Sequence, residues 1–208
     1  MEFKGFDRID FDTFSIEGLD ERMEAIRGRI QPKFQAIGEQ LSGDAAVFVG
    51  NEMHLHIAKH ARRTVNPPKD TWLALCHNKR GYKKHPHFQI GLFDDHLFIW
   101  LAYIYELPNK KEIAQTFLDH FDTLNDTIPN DYVLSMDHTK KDAESMGVLS
   151  ADDFSKRLER FRDVKKAEFL IGRHIDKDDP ILKDGEQFLA LARTTFETLT
   201  PIYRMSFV

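Results

Sequence analysis

Residues His87–Glu106, HFQIGLFDDHLFIWLAYIYE, decide the fold. Phe88, Ile90 and Leu92 alternate with His87, Gln89 and Gly91, a period of two. Asp94–Asp95 then interrupts, and a second apolar run begins at His96. Two acidic turn residues between two such runs predict a tight hairpin joining strands His87–Phe93 and His96–Glu106.

Working outward, the same period predicts strands near Ala45–Val49, Met53–Lys59 and Thr71–His77, with Gly50–Glu52 as a further turn. Short connections of this kind favour an antiparallel meander. Upstream, Leu19, Met23, Ile26, Ile30, Phe34, Ile37 and Leu41 advance by threes and fours. They predict one amphipathic helix, kinked or divided at Pro32 and ended by Ser42–Asp44. Phe3, Phe6, Phe11 and Phe14 precede it as an arm that packs on the core.

Downstream, Asn109 and Glu112 stand at capping-box spacing before a helix that buries Ile113, Phe117, Phe121 and Leu124. A short strand lies in DYVLSMD. A capped helix follows from Ser150, then a strand in KAEFLIGRHI. The last long helix takes Asp179 as N-cap and Pro180 in its first turn. No repeat, low-complexity tract or linker divides the chain. The fold class expected is α+β: one domain over 1–208, a mainly antiparallel sheet of about five to seven strands with amphipathic helices packed on it.

The chain has 208 residues, 41% hydrophobic and 30% charged, which fits a soluble globular class. Its one cysteine, Cys76, excludes an intramolecular disulfide and favours a reducing compartment. The N-terminal stretch lacks the apolar region of a signal peptide, and no apolar run approaches the roughly 20 residues that span a bilayer. A cytoplasmic protein without a membrane partner is expected.

Charge is uneven. His56–Ile90 holds eight lysines and arginines against Asp70 alone, a balance of +7. The whole chain carries −5, so the remainder carries −12. Such asymmetry points to an anionic ligand or to a solvated basic face. The cations fall in two loops, HARRTVNPPKD and NKRGYKKHP. In a simple meander these lie at opposite ends of strands that span roughly 23 Å, so they line one long groove or form two sites.

Strand alternation places Met53, Leu55, Ile57, Leu73, Leu75, Phe88, Ile90 and Leu92 on the core face. The opposite face carries His54, His56, Ala58, Trp72, Ala74, Cys76, His87, Gln89 and Gly91. Small residues ringed by imidazoles, an indole and an amide suit a shallow site, or a helix that approaches closely.

Three chemistries compete. In nucleic-acid or nucleotide binding, Arg62, Arg63, Lys79, Arg80, Lys83 and Lys84 contact phosphates. Trp72 and Tyr82 then stack on bases, Asn66 and Gln89 read base edges, and Arg173 joins from the C-terminal strand. Single-stranded RNA or DNA, or a nucleotide, is the ligand class, with no cofactor; neither a Walker A motif nor a dinucleotide-binding glycine fingerprint occurs. In the enzyme alternative, a small phosphorylated or carboxylated substrate occupies the same place with His87 as general base, and Cys76 is a weak candidate nucleophile. The third reading is an interaction module for an acidic protein. His54 and His56, two imidazoles on one strand face, are a weak metal pair, and no metal is expected.

The stretches FDTFSIEGLDERMEAIR, HIAKHARRTVNPPKDTW, NKRGYKKHPHFQIGLF and EFLIGRHI resemble the YktB-like proteins of low-GC Gram-positive bacteria. The resemblance covers essentially the whole chain. It implies a single-domain bacterial protein of compact α+β fold and unknown function, and it transfers no catalytic residue.

Overall fold

A computed structural model describes residues 2–207. The decisive hairpin forms as expected: β3 (His87–Leu92) and β4 (His96–Tyr103) pair antiparallel, and the Phe93 amide donates to the His96 carbonyl across Asp94–Asp95. With β1 (His54–Ile57), β2 (Thr71–Cys76), β5 (Val133–Ser135), β6 (Glu144–Ser145) and β7 (Phe169–Asp176), they make one open sheet of seven strands. Its order is β1-β2-β3-β4-β7-β5-β6 and every pairing is antiparallel. The class is therefore α+β.

The helices are α1 (Arg8–Asp12), α2 (Leu19–Ala25), α3 (Gln31–Val49), α4 (Lys110–Asp119), α5 (Phe121–Thr127), α6 (Ala151–Asp163) and α7 (Gly185–Met205). They bury the expected strand face. Phe88 stacks on Phe196 and Tyr203 of α7, with ring centroids 4.5 and 5.5 Å away. Phe169 meets Tyr103, Phe117, Phe154 and Phe161. Burying each such ring contributes about 1.5–3 kcal/mol. The N-terminal arm closes this layer, with Phe3 and Phe6 both packed on Phe188.

Several expectations change. Ala45–Val49 is the end of α3 and not a strand, because Leu41 and Ala45 are fully buried on the same helical face. Asp44 is also held by Arg193 of α7, at 2.6 Å, so packing overrides the Ser-Gly-Asp stop signal. The helix ends at Gly50, whose φ of 75° is the left-handed C-cap, so Gly50–Glu52 turns helix into strand. The stripe divides beside Pro32 as expected: a π-helical turn over Ile26–Ile30 interrupts it, and α3 resumes at Gln31 with Pro32 in its first turn.

Asn109 makes no side-chain cap. Instead Lys110 beside it turns inward, and its ammonium donates to the carbonyls of Val164, Lys165 and Ala167. The last helix divides: Asp179 caps a short 3-10 turn at Pro180–Lys183, and Asp184 caps α7 through the amides of Glu186 and Gln187.

The other sheet face is covered by loops. Residues 77–86 fold back along β2 until Tyr82 reaches Trp72, and residues 136–143 cover the side of β4 and β7. Gly91 permits the close packing under this cover. A Cβ there would meet the Phe98 ring and stand 2.7 Å from both the Thr71 carbonyl and the Trp72 Cβ.

Candidate functional site

Two clefts open on the loop-covered face. The first holds about 690 Å³ between β1 and the 77–86 loop. Lys59, Arg80, Lys83 and Lys84 line it against one carboxylate, Glu106. Lys83 pairs with Glu106 at 3.5 Å, whereas Lys59, Arg80 and Lys84 make no ion pair among the described residues. Asn78 shapes the loop: its side-chain oxygen accepts from the Arg80 amide at 2.9 Å, and its carbonyl accepts from His56 Nε2 at 2.9 Å.

The second cleft holds about 750 Å³ and is lined by Arg63, Asn66, Lys69, Asp70, Trp72 and His138, with Arg22 and Thr139 beside them. Arg22 is committed to structure. It donates to the carbonyls of Ile16 and Pro68 and so ties α2 to the rigid Pro67–Pro68 segment. Asp70 is 7% exposed, and burial pushes its carboxyl up to about 6 against the pull of His138 and Arg63. His138 donates Nδ1–H to Glu168 at 2.8 Å. Burial alone would lower this imidazole, but the Glu168 carboxylate outweighs it and holds the ring above its ordinary value.

Trp72 and Tyr82 form the wall between the clefts, the indole N–H donating to the phenol oxygen at 3.0 Å. The two basic loops therefore serve two clefts. Arg63, Asn66 and Trp72 belong to one; Arg80, Tyr82 and Lys83 belong to the other.

Five expected residues lie elsewhere. Arg62 and Lys79 are exposed and line neither cleft. His87 and Gln89 are interior, 0% and 2% exposed beneath the Tyr82 ring. His87 donates Nδ1–H to the His85 carbonyl and accepts at Nε2 from Gln89, so no nitrogen is left for a substrate. Burial holds it neutral, down to about 3. Arg173 sits in register with Ile99 on the helix-covered face, paired to Asp131 and stacked 4.4 Å over Tyr132.

Cys76 is fully buried and pushed up to about 11 by burial, which makes it a poor nucleophile. His54 and His56 gather no third metal ligand among the described residues. Asp137, His138 and Glu168 do come within 4.8 Å of one another. The two carboxylates already accept from protein donors. Glu168 accepts from the His138 and Tyr105 amides, and Asp137 Oδ1 accepts from the Thr139 amide and hydroxyl. That is a hydrogen-bonded loop anchor, and a cation would have to displace its donors.

Nothing in the sequence joins His138 to Glu168, because 30 positions separate them. Asp70 carried a signal: it is the lone acid of the +7 segment.

Fold and site together define an α+β protein on one open antiparallel sheet, with two clefts under a loop cover. The chain belongs to the family described as "Domain of unknown function (DUF1054)", which matches residues 6–203. It is 62% identical to a UPF0637 protein of Oceanobacillus iheyensis over 202 residues, covering 97% of this chain and 96% of the relative. It is 58% identical to one of Shouchella clausii, covering 99% and 96%, and 50% identical to one of Listeria monocytogenes, covering 99% of both. No helix among the described residues is long and apolar enough to cross a membrane.

Proposed function

We propose that the protein binds a nucleotide-sized anionic ligand in the first cleft. The observation that carries this is the lining: four cations against one carboxylate, three of the cations without an ion-pair partner among the described residues. Free cations brought together cost repulsion that an anion relieves. A volume of about 690 Å³ falls within the range of small-molecule pockets. The Trp72–Tyr82 wall stands across the path an extended strand would take between the clefts, which favours a compact ligand over a polymer.

The test is calorimetric titration with AMP and ADP beside labelled single-stranded RNA. Nucleotide binding that Arg80→Ala with Lys84→Ala weakens about tenfold or more is expected, from charge-assisted hydrogen bonds of about 1.5–3 kcal/mol. A strand contacting all four cations would lose about 50-fold between about 50 and 200 mM salt, at a slope of about −0.7 per phosphate. RNA binding with that slope and no nucleotide binding would replace the compact ligand by a single strand. No binding of either overturns the reading.

A further inference from the structure

The second cleft brings together an acid, a base and an anion clamp, and it does so independently of the nucleotide reading of the first cleft. His138 is held by one ring nitrogen only. Nδ1 donates to Glu168, itself 1% exposed, while Nε2 has no hydrogen-bond partner among the described residues. A buried carboxylate behind an imidazole fixes the tautomer and ring orientation and leaves the second nitrogen to act. Asp70 lines the same cleft, nearly buried and without an ion pair among the described residues. Arg63 and Lys69 flank it, and neither forms an ion pair there; Arg63 makes only a 3.3 Å bond to the Asn66 carbonyl. Trp72 supplies an aromatic wall.

We infer that this cleft is a general acid–base site for hydrolysis of a phosphodiester, with Asp70 as base, the His138 imidazolium as acid, and Glu168 as a positioning residue. The diester phosphate sits between Arg63 and Lys69. Asp70 takes a proton from water as the water oxygen bonds to phosphorus. The bond from phosphorus to the leaving oxygen breaks, its electron pair goes to that oxygen, and His138 Nε2 delivers a proton there. The products are a phosphomonoester and an alcohol, and proton transfer from Asp70 back to His138 through solvent restores the site.

The charge states support these roles. Asp70 is pushed up to about 6 and His138 is held above its ordinary 6.5, so a window opens just above pH 6 in which the base is ionised and the acid protonated. The groups that face them are Glu168, Asp70 and Asp137 on His138, and His138 and Arg63 on Asp70. A diester suits the cleft better than a monoester. It is a monoanion, less repelled by Asp70, and its attack gains more from a base than the loose transition state of a monoester.

Hydrolysis by the full chain is measured with two diesters: bis(p-nitrophenyl) phosphate, whose leaving group is good, and thymidylyl-(3′,5′)-thymidine, whose leaving group is poor. A bell-shaped pH profile is expected, rising through about 6 on the Asp70 limb and falling above the His138 value. Asp70→Asn should remove about a hundredfold of the rate on both diesters. His138→Gln should cost about a hundredfold on the dinucleotide and only a few-fold on the activated ester, which needs no acid. Glu168→Gln keeps a hydrogen-bond acceptor for Nδ1 but removes its charge, so the alkaline limb should move to lower pH. A merely structural tie would lower the rate without moving that limb. Absence of hydrolysis of either diester, or an unmoved alkaline limb in a folded Glu168→Gln protein, overturns the inference.

Discussion

Single residues on the loop-covered face divide according to whether a hydrogen-bond position is left open. His87 has both ring nitrogens engaged and stays neutral, whereas His138 keeps one nitrogen free. The alternation in HFQIGL assigned His87 and Gln89 to the correct face. It carried nothing about the loop that later folds over them, because a period of two encodes side and not cover. His87 also ties stability to pH. Its folded value is lowered to about 3 from an ordinary 6.5, so neutral His87 contributes fully above 6.5, and that contribution is lost as pH falls below it. His60 and His174, lowered by burial to about 4 and about 3, act in the same direction. Asp70, raised to about 6, acts oppositely, since its protonation below that value is favoured in the fold. Thermal melts between pH 7 and pH 4 should show stability falling below about 6.5, each such histidine contributing up to about 1.4 kcal/mol per pH unit. His87→Gln should melt lower at pH 7 yet lose less on acidification. An unchanged acid slope in that variant would mean that His87 is protonated in the folded protein.

Among elements, strands and helices whose apolar period matched their burial were legible, and their ends were not. The sheet's first four strands, α6 and β7 stand close to where alternation and capping signals put them. The Ser150 hydroxyl accepts from the Asp153 amide, as its position suggested. The extension of α3 to Val49 was hidden because Ser42-Gly43-Asp44 mimics a stop, while its support comes from α7, some 150 residues away. β6 is two residues long, pairs in the sheet with β5 and is tied to α6 through Glu144 and Arg157, so no periodicity can announce it. Gly43 gives the sharpest test of the α3 assignment. It is exposed inside the helix, and a Cβ there would meet nothing within 4 Å. Gly43→Ala should therefore stabilise the protein by about 0.5–1 kcal/mol, the helical cost of glycine relative to alanine. Urea denaturation measures this directly. A loss of stability would indicate that residues 42–44 form a turn, as their composition suggested.

For the whole molecule, the question is whether the arm, sheet and C-terminal helix unfold together. One contiguous core runs from Phe3 through the strands to Tyr203, and Phe6 sits at its closing edge against Phe3, Phe34 and Phe188. Both faces of the sheet are closed late in space by residues distant in sequence: the helix-covered face by the arm, the other by residues 77–86 and 136–143. That closure was only half legible. The four arm phenylalanines declared themselves by composition, whereas the loop cover depends on single contacts such as Trp72 with Tyr82. If the core is one cooperative unit, Phe6→Ala should lower the unfolding free energy by about 3–5 kcal/mol, the usual range for a phenylalanine removed from a packed interior. Its effect should reach residues that Phe6 never touches. Indole fluorescence, which reports Trp72 and Trp100 on the loop-covered face, and far-ultraviolet dichroism, which reports the helices, should shift together to one lower urea midpoint. The slope of the transition should be unchanged, because the same surface is exposed on unfolding. Separated midpoints, with the helical signal lost first, would instead mean that the arm and α7 form a layer able to detach from a sheet that keeps its clefts.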